Sequence, residues 1–299
     1  MSDLVQQINR ILDEQTWVDR YSVPVQKAVQ RLFQGAGAAG SKIADFLHGV
    51  WLGHPLHPVM TDIPIGAWTA AIALDMMESN SVLPGVGKAA DTAVAVGVAG
   101  AVGSAVTGIT DWQHTVGSTR RAGFIHASLN VIALGFFIAS MVARKNRSRG
   151  LGQGLALTGY TIAAASAYIG GDLVYRQKMG TNHAPLEEDL KTKRFVPVMS
   201  ADDLPQNQLT RASVNGTSIV LLRRGERVFA LAERCAHLGG PLSEGSLDEG
   251  EDGRPIVVCP WHSSRFYMDT GDIAGGPTTY PQPCFEARIA NGQVEVYHP

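Results

Sequence analysis

The longest uncharged stretches of this sequence constrain its fold more than any other feature. Residues 92–110, 122–143 and 150–171 contain no Asp, Glu, Lys or Arg over 19, 22 and 22 positions respectively. A helix needs about 20 mostly apolar residues to cross the hydrocarbon core of a bilayer. Buried helices of soluble proteins are seldom apolar on all sides over that length. We therefore interpret each window as a membrane-spanning helix, with three core helices of a soluble protein as the alternative.

A fourth span is predicted just before these windows, although acidic residues interrupt it. Only 12 uncharged residues separate Asp62 from Asp75, so a crossing helix must begin near Val59. One carboxylate would then lie close to the bilayer edge and face the bundle interior or the interface. We predict an all-α bundle of four transmembrane helices over residues 46–180. An amphipathic helical segment over residues 1–45 precedes it, with helical spacing of Leu4, Ile8, Ile11 and Leu12.

Small residues recur every four positions in the first uncharged window. The two sets are Gly97, Ala101 and Ala105, and Gly100, Ser104 and Gly108. Small side chains at this spacing let helix backbones approach closely inside lipid. They predict close helix packing and would also permit a homodimer.

Histidines cluster on one side of the predicted bundle. With four spans, both ends of the bundle open to the same side of the membrane. That side receives the histidines at the ends of the spans, and His126 lies one turn inside the third span. Singly, each histidine is expected to be structural or interfacial. Together they suggest a second site for haem, a metal or a quinone, formed by His54, His57, His114, His126 and His183.

This helical half resembles a family of small four-span bacterial membrane proteins of unknown function. The resemblance rests on GHPLHPVMTDIPIGAW at residues 53–68, GITDW at residues 108–112 and GGDLVYRQKMG at residues 170–180. It implies a four-helix fold in a bacterial inner membrane and supplies no activity.

The last third of the chain has a different pattern. Residues 195–299 form short alternating strands separated by turns, with RGE at 224–226 and ANG at 290–292 between apolar runs. We predict a small all-β domain, joined to the bundle by a charged linker over residues 181–194. The acidic run LDEGEDGRP, residues 247–255, is expected at an exposed hairpin tip.

Two loops of this β domain each carry one cysteine and one histidine. CAHLGGPL holds Cys235 and His237, and CPWHSSRF holds Cys259 and His262, with 21 residues between the pairs. A zinc ribbon more often shows C-x-x-C knuckles, and a zinc finger separates its Cys pair from its His pair. One thiolate and one imidazole from each loop favour a [2Fe–2S] cluster, with both Cys on one iron and both His on the other. Zinc in the same four ligands is the alternative.

The pattern resembles the Rieske family, over residues 195–297. GGPTTYP at residues 275–281 is similar to the loop that covers the cluster in that family. Respiratory Rieske proteins carry an extra cysteine in each ligand loop. By the resemblance, the corresponding residues of this sequence are Gly240 and Trp261. The resemblance therefore implies the ferredoxin and oxygenase branch, which lacks the bracing disulfide. Ser264 matches a serine that hydrogen-bonds cluster sulfur, whereas Phe266 lacks a hydroxyl, which implies a lower reduction potential. Cys284 is expected to be a free, partly buried thiol.

These observations predict a two-domain, membrane-anchored Rieske iron–sulfur protein that transfers one electron at a time. It would be the electron-transfer component of an oxidoreductase system, working with a redox partner protein or a quinone in contact with membrane lipid. One alternative is a quinone- or haem-linked membrane oxidoreductase that uses the histidines and Asp62, and another is a redox-sensing scaffold. The net charge of −2 gives no indication of nucleic-acid binding. Residues 1–20 lack the apolar run of a secretory signal, which favours a cytoplasmic β domain.

Overall fold

The computed structural model describes residue 7, residue 10 and residues 13–299. Leu4, Ile8, Ile11 and Leu12, on which the amphipathic prediction rests, lie outside the described residues. The chain forms two compact units. One comprises the described residues up to Gly40 together with Pro55–Met179, and the other comprises Ser41–His54 and Gly180–Pro299. The predicted fold class is confirmed, because the first unit is helical and the second is built on β-sheets.

The helices of the N-terminal half are longer than the uncharged windows. They are α1 (Asp19–Gly35), α2 (Gly37–His48), α3 (Leu56–Ser79), α4 (Gly87–Trp112), α5 (Gly117–Lys145) and α6 (Arg149–Tyr175). Each predicted window lies inside one of α4 to α6. The helices extend further because charged residues at their ends find partners, as Arg120 and Arg121 do on Asp19 at 3.0 and 2.9 Å. The loops between these helices are therefore shorter than the uncharged windows predicted.

Two helices in the described part of the chain are long and apolar enough to cross a bilayer, namely α4 and α5. Only 28% and 17% of their most apolar windows are buried, so most of these side chains face outward. A core helix of a soluble protein would be mostly buried. The number of four spans is not confirmed by this criterion and remains a prediction.

The four long helices form two hairpins with an internal repeat. His57, Trp68 and Asp75 of α3 correspond to His126, Phe137 and Arg144 of α5, each 69 residues later. SAVTG at residues 104–108 of α4 corresponds to SAYIG at residues 166–170 of α6, 62 residues later. The two hairpins are thus related by a pseudo-twofold arrangement in which equivalent residues meet.

Three layers of paired residues join the hairpins. The His57 and His126 rings have centroids 6.4 Å apart and planes at 89°. Trp68 stacks on Phe137 at 3.8 Å and 7°. Asp75 forms an ion pair with Arg144, and Asp91 and Arg149 extend this pair into a charged cluster. At 1.5 Å per helical residue, the second and third layers lie about 16 and 27 Å along the helices from the first.

The small residues of α4 are packed within their own hairpin. A Cβ added at Gly97 would lie 2.2 Å from Trp68 Nε1, and one at Gly100 would lie 2.5 Å from Ile63 Cγ2. One at Gly108 would lie 2.8 Å from His57 Cε1. Close packing along this face is therefore confirmed, and these three glycines serve contacts inside the chain.

The second unit carries two antiparallel sheets. The strands are β1 (Val196–Ser200), β2 (Thr210–Val214), β3 (Thr217–Arg224), β4 (Arg227–Ala232), β5 (Ser246–Glu249), β6 (Pro255–Val258), β7 (Arg265–Tyr267), β8 (Ile273–Gly275), β9 (Cys284–Ala290) and β10 (Gln293–Tyr297). One sheet has the order β1-β10-β9-β4-β3-β2 and the other has the order β5-β6-β7-β8. A short helix, α7 (Glu187–Leu190), precedes them.

The predicted turns of this unit are confirmed. Asn291 and Gly292 have φ of +51° and +76° and join β9 to β10, as a two-residue hairpin requires. The acidic run joins β5 to β6, with Glu249 opposite Pro255. Cys284 begins β9 as a free, half-buried thiol, and burial raises its pKa to about 11.

The central strands β3 and β4 are buried on both faces. Ile219 and Leu221 pack with Phe285 on one side. Val220 and Leu222 pack on the other side with Phe266, together with Cys235 and Cys259. Alternating side chains of a doubly covered strand produce this pattern. The two cysteines therefore lie in the apolar layer between the sheets, at the ends of the loops described next.

Candidate metal centre

The first ligand loop follows β4 and turns back at two glycines. Cys235 N–H donates to the Gly240 carbonyl at 2.9 Å, and Gly239 N–H donates to the Cys235 carbonyl at 2.8 Å. Gly239 has φ of +79°, a conformation that favours glycine. The loop holds Cys235 fully buried and leaves His237 partly exposed.

The second ligand loop joins β6 to β7. Cys259 N–H donates to the Ser264 carbonyl at 2.8 Å, and Ser263 N–H donates to the Cys259 carbonyl at 3.1 Å. Cys259 is 3% exposed, whereas His262 is partly exposed. Both loops thus bury the thiol and present the imidazole at the edge.

The two loops meet at Gly240. A Cβ at this position would lie 2.8 Å from Cys259 Sγ and 3.0 Å from Trp261 Cγ. The structure therefore brings together Gly240 and Trp261, the positions at which respiratory Rieske proteins are expected to carry their disulfide. A side chain larger than glycine would push the second loop away from the first.

The thiols and imidazoles form two separate pairs. The Cys235 thiol donates to Cys259, whose sulfur also accepts from the N–H groups of Trp261 and His262. These hydrogen bonds lower the pKa of Cys259 to about 7, which favours the thiolate that binds metal. The His237 and His262 rings lie with centroids 5.1 Å apart and planes at 90°. Burial lowers the pKa of His262 and so favours its neutral, ligating form.

These residues fit a [2Fe–2S] cluster. Among residue 7, residue 10 and residues 13–299, no three His, Cys, Asp or Glu side chains lie close enough to hold one metal ion. A Rieske cluster needs only two protein ligands on each iron. The Ser264 hydroxyl is fully buried beside the Cys235 thiol, and within the described chain it makes no hydrogen bond of ordinary geometry. A buried hydroxyl of this kind needs a hydrogen-bond acceptor, and a sulfur of the cluster would provide one. When bound, such a cluster exchanges one electron between its ferric and ferrous states.

A third loop, after β8, supports the first two. Gln282 is 2% exposed. Its Nε2 donates to the carbonyls of Ala232 and Arg234 at 2.7 and 2.8 Å, and its Oε1 accepts from Ala236 N–H at 2.9 Å. This side chain therefore supplies hydrogen-bond partners to three main-chain groups in and just before the first ligand loop. In the sequence, this role of Gln282 is marked by nothing more than its position between prolines in YPQPC.

The third loop also contacts the second ligand loop and α2. A Cβ at Gly276 would lie 2.5 Å from the Ser263 carbonyl oxygen, so the loops touch directly. Gly276 N–H donates to Asp45 Oδ1 at 3.1 Å, and burial raises the pKa of Asp45. The predicted role of residues 275–281 as a cover for the centre is consistent with this contact.

The five histidines proposed for a second site are divided between the units. His57 and His126 lie together in the bundle. His54 and His183 belong to the other unit, where His183 N–H donates to the Ala236 carbonyl in the first ligand loop at 2.9 Å. His114 lies in the turn between α4 and α5. The assignment of all five to one site stays a prediction, and the structure shows a ring contact between His57 and His126.

Comparisons with known proteins identify the class to which the site belongs. Residues 194–286 match the family described as Rieske [2Fe-2S] domain. Residues 53–183 match the family described as predicted membrane protein DUF2231. The chain is therefore a member of the Rieske family whose Rieske domain is fused to a predicted membrane domain.

Its relatives include ferredoxins. Ferredoxin CarAc of Metapseudomonas resinovorans is 31% identical over 103 residues, which cover 34% of this chain and 92% of that protein. The ferredoxin subunit of anthranilate 1,2-dioxygenase from Burkholderia cepacia is 30% identical over 100 residues, covering 33% and 88%. A solved complex of reduced oxygenase and oxidised ferredoxin in carbazole 1,9a-dioxygenase contains a chain 30% identical, with TM-score 0.32 and coverage of 36% and 95%.

We expect Ser264→Ala to lower the reduction potential of the cluster. A hydrogen bond to a charged group contributes about 1.5–3 kcal/mol, and 59 mV corresponds to a tenfold change for one electron, so the fall should reach up to about 130 mV. The donor stabilises the more negative, reduced state, and its loss therefore lowers the potential. A redox titration of the purified protein measures this. Ser263→Ala, at an exposed neighbouring position, is the matched control, and an equal fall there would contradict the assignment.

Proposed function

We propose that this protein is a membrane-anchored one-electron carrier that uses the [2Fe–2S] cluster of its Rieske domain. The observation that carries the proposal is the arrangement of the four ligands. Two buried sulfurs and two edge imidazoles come from neighbouring loop tips of one β domain. Cys235 and Cys259 would hold one iron, and His237 and His262 the other. The imidazoles are the parts of the site nearest to solvent, where electrons would enter and leave.

The anchor is proposed to be the four-helix bundle, crossing a bacterial inner membrane four times. The internal repeat supports this number. The helix α5 meets the length and hydropathy requirement, and α3 is its equivalent with the same three layers of residues. A pair of hairpins related in this way places both members at the same depth. The about 27 Å between the histidine and ion-pair layers also approaches the thickness of a hydrocarbon core.

The outward surface of the bundle is apolar. Large side chains that are 45% exposed or more include Val96, Val102, Val106, Val131, Ile132, Ile138, Val142, Leu151 and Leu157. Soluble monomers seldom expose contiguous apolar surface of this extent. Lipid contact along these helices accounts for it, and no partner copy is needed.

The electron partner is proposed to be a protein that docks beside His262. Trp261 is 56% exposed, and its ring centroid lies 6.4 Å from that of His262. Exposed tryptophan is enriched at protein interfaces. The relatives named as dioxygenase ferredoxin components support a protein partner over a quinone. We place this face on the cytoplasmic side, since Gly240 and Trp261 provide no disulfide brace.

Spectroscopy of membrane fractions tests the proposal. The full chain should stay in the membrane pellet after a high-salt wash and dissolve only in detergent. The detergent-purified protein should contain two irons and two labile sulfides per chain, together with the paramagnetic signal of a Rieske centre after reduction by dithionite. Zinc without iron would overturn the cluster assignment. A cluster-containing chain in the soluble fraction would overturn the anchor and leave the cluster standing.

A second candidate function, a haem-linked membrane oxidoreductase, is favoured by one specific observation. This is the perpendicular pair of His57 and His126 inside the bundle. A quinone site and a redox-sensing scaffold have no comparable support among the described residues.

A further inference from the structure

We infer that His57 and His126 are the two axial ligands of one haem held between the helical hairpins. The inference stands on the bundle alone and does not rest on the Rieske cluster. Its first basis is the protonation state of the two rings. His57 Nδ1 lies 2.9 Å from the Ser104 carbonyl oxygen, and His126 Nδ1 lies 2.9 Å from the Ser166 carbonyl oxygen. A carbonyl only accepts, so each Nδ1 carries the hydrogen.

The opposite nitrogen of each ring is consequently the one with a lone pair. Metal-binding histidines have this arrangement, in which a hydrogen bond from one nitrogen to a carbonyl fixes the tautomer and orients the other toward the metal. No hydrogen bond reaches His57 Nε2 in the described part of the chain. His126 Nε2 meets Asn130 Nδ2 at 3.1 Å. This amide would rotate away as the metal takes its place.

The spacing of the rings is the second basis. With a metal–nitrogen bond of about 2.0–2.1 Å, an imidazole centroid lies about 3.2 Å from its metal. Two ligands on opposite sides of one metal then have centroids about 6.4 Å apart, and two at a tetrahedral angle about 5.2 Å apart. The His57–His126 separation is 6.4 Å, whereas the His237–His262 separation in the cluster site is 5.1 Å. The bundle pair therefore has the span of trans ligands.

The number of ligands distinguishes a haem from a bare ion. A bare divalent ion requires four to six ligands. Within residues 13–299 no third His, Cys, Asp or Glu joins this pair in a metal-binding group. A haem supplies four nitrogens of its own and requires two axial ligands from the protein. The pair of imidazoles without further ligands is the donor set that a haem needs.

The repeat shows that both rings are accommodated in the same way. A Cβ at Gly108 would lie 2.8 Å from His57 Cε1, and one at Gly170 would lie 3.1 Å from His126 Cε1. Each glycine lies one turn after the serine whose carbonyl accepts from the ring. Both hairpins thus hold an imidazole by a carbonyl and a glycine, and the two rings lie next to each other.

Titration of haemin into the detergent-purified full chain tests the inference. We expect saturation at one haem per chain, with the sharp absorption bands of a six-coordinate, low-spin haem. His57→Ala and His126→Ala should each weaken binding at least tenfold and convert the residual haem to the high-spin form. Thr161→Ala, at an exposed position of α6 in the same unit, is the matched control and should bind as the unchanged chain does. Circular dichroism and the Rieske signal report whether each variant has folded.

A measurement on the unchanged chain keeps the inference testable if a variant fails to fold. The reduced haem should bind carbon monoxide poorly, because both axial positions are filled by histidine. High-spin haem, rapid carbon monoxide binding or no saturable binding would overturn the inference, as would low-spin haem in the His57→Ala/His126→Ala double variant. Loss of the Rieske signal with normal haem binding would overturn the proposed function alone.

Discussion

Replacement of Cys259 by serine is expected to abolish the iron–sulfur cluster. The hydroxyl of serine ionises far less readily than a thiol, so this position would lose its ligand while the loop keeps its shape. We expect at least a tenfold loss of bound iron and the disappearance of the Rieske optical bands and of the signal of the reduced centre. Iron and labile sulfide analysis of the purified protein measures this. Secondary structure should persist, because most of the β core lies outside the ligand loops.

The matched control is Cys284→Ser. Cys284 is free and half-buried at the start of β9, with its Sγ 3.6 Å from the Asp269 carbonyl oxygen. This substitution should leave the cluster content unchanged. Retention of the cluster by Cys259→Ser, or its loss from Cys284→Ser alone, would show that the assigned ligand set is wrong.

Asp75→Ala should destabilise the helical bundle by about 3–5 kcal/mol, since it leaves a buried guanidinium without its principal partner. The Arg144 side chain is 3% exposed and that of Asp75 is 6% exposed. Arg144 Nη1 also reaches Asp91 at 2.9 Å, which retains part of the interaction. Unfolding of the purified chain in detergent, followed by circular dichroism at the helix bands, measures the change.

Two further variants show whether the loss of stability comes from an unpaired buried charge or from the loss of any carboxylate in this cluster. Asp91 is 41% exposed, so Asp91→Ala should cost about 1 kcal/mol or less. The double variant Asp75→Leu/Arg144→Leu should recover most of the lost stability, because it removes both buried charges together. Equal losses from Asp75→Ala and Asp91→Ala would contradict the view that the buried pair dominates this layer.

The four candidate cluster ligands could be proposed from the sequence, whereas the residues that support their loops could not. Cys235, His237, Cys259 and His262 could be named because ligand chemistry demands particular residue types at short spacing. Gln282 and Asp45 act through hydrogen bonds to main-chain atoms that are remote in the sequence. No local pattern identifies an amide or a carboxylate as a partner for a distant N–H group. The membership of Ser41–His54 in the second unit was missed for the same reason.

Helix positions were predicted from the absence of charge, and this signal is weakest where charges are paired. Asp75 and Arg144 lie inside long helices because each neutralises the other. The first membrane span, which corresponds to α3, was therefore predicted over too short a range. The repeat went unnoticed because its most visible trace is short, SAVTG against SAYIG. The remaining equivalences, tryptophan with phenylalanine and aspartate with arginine, preserve packing or charge complementarity without preserving residue identity.

The matched layers of α3 and α5 limit how such a protein can change length during evolution. Each helical residue turns the chain by about 100°. Deleting one residue between His57 and Asp75 would thus turn the later layers away from their partners on α5. Only a matching deletion between His126 and Arg144 would restore them. If the two hairpins arose by duplication of one ancestral hairpin, their descendants should gain and lose residues in the connecting loops, and should exchange paired residues together.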